Sequence, residues 1–243
     1  MLSIFQKKEY LTNYLDGFTD FHNHLLPGID DGASSIAESL ELIEKFREIG
    51  ISSFVATPHV MGEYYPNTPS TINSALKQLK KELPEEIKVR AAAEYMMDQH
   101  FVEILEANDI LTLNQSYILV EMSFFQPPIN LNEILFKIQN KGLKPILAHP
   151  ERYPYLHSRQ LKKYEDLKSR GCKFQINILS LSGHYGKGIE KMAYTLLENG
   201  FIDFISSDCH RLEHLIKIQH LKLSKKRIEL LKPVIANCKS LFI

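Results

Sequence analysis

Several features that would settle a protein's class at a glance are missing from this chain of 243 residues. Neither sign of charge dominates: Lys+Arg and Asp+Glu each total 29, so a general electrostatic role on nucleic acid or on an anionic membrane has no support. No apolar run approaches the roughly 20 residues that span a bilayer. The opening residues, MLSIFQKKEYLTNYLDG, lack the continuous apolar stretch of a secretion signal. A soluble, cytoplasmic protein with no nucleic-acid partner and no direct membrane insertion is expected. The 3 cysteines, Cys172, Cys209 and Cys238, are odd in number and far apart, which excludes a disulfide framework or a CxxC metal site and fits a reducing compartment. Glycine-rich phosphate loops are absent: no GxGxxG or GxxxxGK[ST] follows a strand-like stretch. Linkers, low-complexity runs and sequence repeats are absent too. One domain over residues 1–243 is expected, with an N-terminal extension over 1–16 and a helical tail over 213–243.

What is present is a repeated pattern. Seven short, apolar, β-prone stretches run Phe18–Phe21, Ile51–Thr57, Lys88–Ala93, Tyr117–Val120, Lys144–Ala148, Lys173–Ile176 and Phe201–Ser207. Six of them stop at, or within a residue or two of, a histidine or carboxylate; Lys173–Ile176 runs instead into Asn177, polar but a poor ligand. Helical periodicity alternates with these stretches over Ser34–Ile49, Ser70–Glu82, Gln99–Glu106, Leu131–Lys141, Arg159–Arg170 and Lys187–Asn199. Ser35 and Glu38 have capping-box spacing, and Gly50, Gly142, Gly171 and Gly200 stand where helices should stop. Strand and helix in alternation imply right-handed crossovers and a parallel sheet. Polar residues at so many strand ends imply a closed or nearly closed barrel, because an open sheet brings only the strands near its switch point to a site. The most basic stretch, Lys217–Lys232, reads as a solvated helix face.

The chemistry lies at the strand ends. His22 and His24 are two apart, so on a strand they face the same way and can grip one ion. Asp208 and His210 repeat that spacing near the other end of the chain, with Cys209 turned to the opposite face and read as core. Either pair alone is as compatible with a hydrogen-bonded structural role. Together with Glu94, Glu121 and His149, they form a cluster that an ordinary core would bury at high cost unless a metal satisfied it. The donors are nitrogen and oxygen with no thiolate, which suits Mn²⁺, Fe²⁺ or Zn²⁺ without choosing among them. The Asp30-Asp31-Gly32 turn is equally readable as a turn and helix entry on local grounds, and His59 taken alone is more often a loop histidine than a ligand. Arg152, three residues past His149, offers bidentate recognition of phosphate or carboxylate, or a surface ion pair with Glu151.

Two nucleophile-based alternatives are missing. No GxSxG elbow is present, since Leu181-Ser182-Gly183 lacks the first glycine. Six residues beyond Cys172 and Cys209, where a cysteine phosphatase needs arginine, stand Ile178 and Leu215, and the chain ends after Cys238.

The segments Asp20-Phe-His-Asn-His24, Asp30-Asp-Gly32, Ala56-Thr-Pro-His59, Ala93-Glu94, Leu119-Val-Glu121, Ala148-His-Pro-Glu-Arg152 and Ser206-Ser-Asp-Cys-His210 together resemble the PHP (polymerase and histidinol phosphatase) superfamily. Within it they resemble the bacterial metal-dependent protein-tyrosine phosphatases of capsule and exopolysaccharide operons. The resemblance implies a distorted seven-stranded (β/α) TIM-like barrel with two or three divalent metal ions, manganese foremost and iron or zinc as alternatives. It implies that His22, His24, Glu94 and Asp208 hold one ion. Glu94 would bridge to a second held with Glu121 and His149, while Asp31, His59 and His210 hold a third. It further implies hydrolysis by metal-activated water, Arg152 near the phosphate, and a substrate in the phosphotyrosine tail of a membrane tyrosine kinase. The family's second phosphate-binding arginine has no aligned counterpart, Leu215 standing there; Arg211 is the nearest substitute. Rival readings are a small-molecule phosphatase of the histidinol-phosphate type and an amidohydrolase-like metal hydrolase.

Overall fold

A computed structural model of the chain describes residues 8–158 and 160–242. Strands and helices alternate along most of it: β1 (Lys8–Tyr10), β2 (Thr19–Asp20), α1 (Ile36–Glu48), β3 (Ser53–Ala56), β4 (His59–Val60), α2 (Pro69–Lys80), β5 (Lys88–Ala91), β6 (Glu94–Met96), α3 (Gln99–Glu106), β7 (Tyr117–Glu121), α4 (Leu131–Asn140), β8 (Lys144–Ala148), α5 (Lys162–Ser169), β9 (Lys173–Asn177), α6 (Lys187–Glu198), β10 (Phe204–Ser206), α7 (Leu212–Gln219), β11 (Lys222–Ser224) and α8 (Lys225–Leu241). Local chemistry sets several boundaries. Ser35 caps α1 by accepting from the Glu38 N–H. Thr68 and Thr71 form a reciprocal capping box at α2, with Pro69 inside its first turn. The carboxylate of Asp98 accepts from the Phe101 N–H and starts α3 over the predicted span. α5 begins at Lys162, later than the predicted start at Arg159, which lies outside the described residues.

All strands that carry candidate site residues pair in parallel, but they form two sheets where one was expected. One has six strands in the order β10-β9-β8-β7-β6-β4; the other has three, β2-β3-β5. The division has a local cause. The predicted strand Ile51–Thr57 breaks at Thr57-Pro58, where proline offers no N–H to the ladder, and resumes as β4. Its neighbour breaks in step, β5 giving way to β6 across Ala92-Ala93. Hydrogen bonds from the Ala92 N–H to the Ala56 carbonyl (2.8 Å) and from the Glu94 N–H to the Pro58 carbonyl (3.0 Å) carry the pairing through the kink. On the other side, Asn23 faces Cys209 in a parallel bridge. There His24 donates its N–H to the Cys209 carbonyl at 2.9 Å, and Asp208 donates its N–H to the His22 carbonyl at 2.8 Å.

A single apolar core fills the interior, including Phe21, Phe54, Phe101, Phe174 and Leu147. Cys172, Cys209 and Cys238 are free and buried within it. The tail, expected to be helical, is mostly so but holds a short strand. Its helices α7 and α8 are interrupted by β11, which pairs antiparallel with β1 of the N-terminal extension. Helix α8 packs against β10 and β2, tying the extension and tail to the base of the strands. The basic stretch is accordingly part strand, part helix; Arg227 lies over the Tyr194 ring at 3.6 Å. Among the described residues no helix is long and apolar enough to cross a membrane.

Candidate metal centre

The strand ends meet as the pattern of the chain implies. β2 runs into His22 and His24, β4 begins at His59, β6 begins at Glu94, β7 ends at Glu121 and β8 ends just before His149. β10 runs into Asp208 and His210, and Asp31 comes from the turn between β2 and α1. Four overlapping groups result, the ligand atoms of each lying within 4.8 Å of one another: His24, Asp31, His59 and His210; His22, Glu94 and His149; His22, His24 and Asp208; and His59, Glu94 and Glu121. All nine residues named as candidate ligands fall in these groups. The groups share members: His149 Nε2 lies 3.1 Å from Glu94, within the second set implied by resemblance, while Glu121 also lies 2.8 Å from His59 Nδ1 of the third.

Hydrogen bonds from outside the nest fix several of these side chains. His22 Nδ1 meets Gln175 Oε1 at 2.8 Å, and His24 Nδ1 meets Asp30 Oδ2 at 2.7 Å, so both rings turn Nε2 inward. Asn177, the polar residue at the one strand end without a ligand type, donates Nδ2 to Asp208 Oδ2 at 2.6 Å and accepts from Gln175 Nε2 at 2.9 Å. Asp30 also accepts the backbone N–H of Gly32 and of His59. Only glycine fits at position 32, because a Cβ there would lie 2.2 Å from the His24 carbonyl oxygen. The turn therefore presses onto the HxH segment, and Asp30 orients a ligand while Asp31 joins the ligand groups.

Inside the nest, ion-pair contacts such as Glu121 to His59 at 2.8 Å replace well-formed hydrogen bonds. His22 Nε2, His24 Nε2, His59 Nδ1, Glu94 Oε2, Glu121 Oε1 and, on the ring whose Nε2 meets Glu94, His149 Nδ1 are buried with no partner in hydrogen-bond geometry among the described residues. Unpaired buried polar atoms cost about 1–3 kcal/mol each, so six of one site are far from an ordinary core. The donor set, imidazole plus carboxylate with outer hydrogen bonds fixing the rings, is that of a divalent transition-metal site. The residues therefore fit such ions.

The buried charges of the cluster also shift one another strongly. Burial pushes the His22 imidazole down, but Glu94 and Asp208 outweigh it and lift it to about 9. Burial and then the neighbouring Glu94 raise the Glu121 carboxyl to about 7. His149 is driven down to about 4, chiefly by burial. Two of the residues also hold unfavourable backbone: His149 has φ 36° and Asp208 φ 52°, the left-handed region that non-glycine residues enter at a cost.

Arg152 stands at the rim. Its Nη1 donates to Asp208 Oδ2 at 3.0 Å, and its guanidinium lies between the rings of Phe124 (4.6 Å) and Tyr185 (4.2 Å). The alternative of a surface pair with Glu151 is overturned. Glu151 is buried, accepting the Asn177 N–H and the Ser180 hydroxyl at 3.0 and 2.6 Å. Arg211, the other anion-binding candidate, is exposed at the start of α7, and its side chain makes no hydrogen bond or ion pair among the described residues. A separate cavity of about 770 Å³ beside Tyr155 and Lys163 contains none of the candidate ligands.

Fold and site together define a class: parallel α/β proteins that gather an imidazole and carboxylate nest at the carboxyl ends of their strands. The family profile described as capsular polysaccharide synthesis, CpsB/CapC, matches residues 18–227, and the chain belongs to that family. It is 33% identical over 198 residues to the tyrosine-protein phosphatase YwqE of Bacillus subtilis (strain 168), covering 80% of this chain and 78% of that one. It is 31% identical to the putative tyrosine-protein phosphatase CapC of Staphylococcus aureus, covering 79% and 77%. Among solved structures it matches one from a study of YwqE from B. subtilis and CpsB from Streptococcus pneumoniae, described there as unique metal-dependent tyrosine phosphatases. The TM-score is 0.73 at 29% identity, over 90% of this chain and 94% of that one. Histidinol phosphate phosphatase of Lactococcus lactis shares the fold, with a TM-score of 0.54 at 15% identity over 91% and 94% of the two chains.

Proposed function

We infer that this chain is a metal-dependent protein-tyrosine phosphatase. The observation that carries the reading is the convergence of unpartnered, buried imidazole and carboxylate atoms from five strand ends beside a fixed guanidinium, in a chain with tyrosine-phosphatase relatives. His22, His24, Asp31, His59, Glu94, Glu121, His149, Asp208 and His210 would hold two or three divalent ions, manganese foremost with iron or zinc as alternatives. The scaffold is read as one distorted seven-stranded barrel, with β3 and β4 as a single kinked strand, β5 and β6 as another, and the Asn23–Cys209 bridge as the closure. When bound, such ions polarise phosphoryl oxygens and activate water.

The chain's own residues supply the rest. Arg152, held by Asp208 and flanked by two rings, would bind an equatorial phosphoryl oxygen and offset charge that develops there. Arg211, one residue beyond His210, is the second candidate for that role. Gln175, Asn177 and Asp30 hold ligand side chains in position. A tyrosine phenolate, with a pKa of about 10, leaves more readily than an alkoxide and needs less help from a general acid. The physiological substrate is read as the phosphotyrosine tail of a membrane tyrosine kinase of polysaccharide export.

The test is phosphate release from a phosphotyrosine peptide by protein loaded with manganese, then stripped by chelator, then reloaded. Release that follows the metal supports the reading. Rapid cleavage of small phosphomonoesters with the peptide untouched would overturn it.

A further inference from the structure

Beside the ligand nest runs an open groove of about 800 Å³ whose lining includes Met61, Tyr64, Met96, Phe125, Pro128 and Ile129. Each of its walls is the continuation of a strand that carries a candidate ligand. Met61 to Tyr64 follow His59 by two residues, Met96 to His100 follow Glu94 by two, and Ser123 to Ile129 follow Glu121 by two. No candidate ligand lines the groove itself, but it adjoins the nest along three strands, and Phe124, between the lining residues Ser123 and Phe125, links the two. Its ring stacks on His149, 5.6 Å between centroids and 27° between planes, and lies over Arg152.

Water covers this apolar surface as it stands. Tyr64 is 75% exposed, Phe125 94% and Ile129 103%, side chains that folding alone would place elsewhere. Contiguous exposed apolar groups beside a reactive centre mark a binding surface more often than chance does. The charged residues lining the groove are Glu63 and Asp98, and no Lys or Arg is among its lining residues. An acidic segment would meet like charge and a row of apolar side chains it cannot use.

We propose that this groove binds the polypeptide flanking the phosphotyrosine and selects apolar, not acidic, residues there. This rests on the phosphatase reading and names what that site prefers. The phosphoryl group enters the nest beside Arg152, the phenyl ring passes Phe124, and the adjoining residues lie along Tyr64, Phe125 and Ile129. Truncating exposed apolar contacts there lowers affinity for an apolar flank without altering the ligand nest.

The experiment uses the manganese-loaded full chain and two phosphotyrosine peptides, one with Leu and Val beside the phosphotyrosine and one with Asp and Glu there. The wild type is expected to show kcat/KM roughly tenfold higher for the apolar peptide, a size typical of discrimination by apolar pockets. In the doubly substituted Phe125→Ser, Ile129→Ser protein that ratio should fall to about twofold or less through KM. Both positions are fully exposed, and a melting curve checks that the variant is folded. Equal kcat/KM for both peptides in the wild type, or a preference retained in the variant, would overturn the groove assignment while leaving the phosphatase reading intact. A dimer that the substitutions dissociate, with the peptide preference unchanged, would assign the groove to a second copy of the chain and overturn it likewise. Turnover of para-nitrophenyl phosphate with neither peptide cleaved would remove both readings together.

Discussion

Two buried carboxylates follow opposite rules. Asp20 on β2 is saturated: it accepts the Ser206 hydroxyl at 2.6 Å, the Ser207 N–H at 2.8 Å, the Ser207 hydroxyl at 2.7 Å and the Asn23 amide at 3.1 Å. Glu94 on β6 is equally hidden, yet its Oε2 has no hydrogen-bond partner and faces the rings of His22, His24 and His59 at 3.1–3.7 Å. Burial alone therefore says nothing about role. A buried acid with every lone pair assigned closes a structure, whereas one left open among imidazoles is reserved for something else. The same division separates the two ends of the strands, with β1, β11 and α8 tying the base together while strained, unpaired groups collect at the rim.

That division can be broken or sharpened by substitution. The largest effect is expected at the rim: Glu94→Gln should lower kcat/KM on a phosphotyrosine peptide by about a thousandfold or more, with a melting temperature unchanged or raised. A parallel loss of activity and stability would erase the distinction. Asp20→Ala should do the reverse. It strands several buried donors and costs about 3 kcal/mol of stability, read by denaturant titration, while the folded fraction keeps its metal content. Between them lies Asn177→Ala, which frees Asp208 and should weaken metal affinity by about tenfold, measured by competition with a chelator. Smallest of all, Cys209→Ser and Cys172→Ser should leave turnover within about twofold and cost roughly 1 kcal/mol or so. A larger loss of turnover would place a thiol in the chemistry.

Much of the rim was legible in the chain, because a strand that ends at a ligand type announces itself through the period-2 spacing of His22 with His24 and of Asp208 with His210. Helices were legible from their period and punctuation, α1 through the Ser35–Glu38 spacing and Gly50, and α3 over its whole predicted span. The base was not. Lys8–Tyr10 and Lys222–Ser224 are three residues each, polar, and pair across more than 200 residues, so neither periodicity nor composition reveals them. The kink at Pro58 was visible as a proline but not as a division of the sheet, since its consequence depends on the neighbouring strand breaking in step. The burial of Glu151 was not legible, because the short turn Pro150–Arg152 sends one of two adjacent charged side chains into the core and the other to Asp208. The orienting roles of Gln175 and Asn177 depend on contacts between strands, which the chain does not display.

The most direct test of the account is elemental analysis of protein purified without chelator, wild type beside Glu94→Gln. Two or three divalent ions per wild-type chain, with fewer in the variant, is the predicted result. A folded wild-type chain that retains no metal and takes up none on dialysis against manganese, iron or zinc would contradict it, because the open side chains at the rim would then have no purpose in the chemistry proposed.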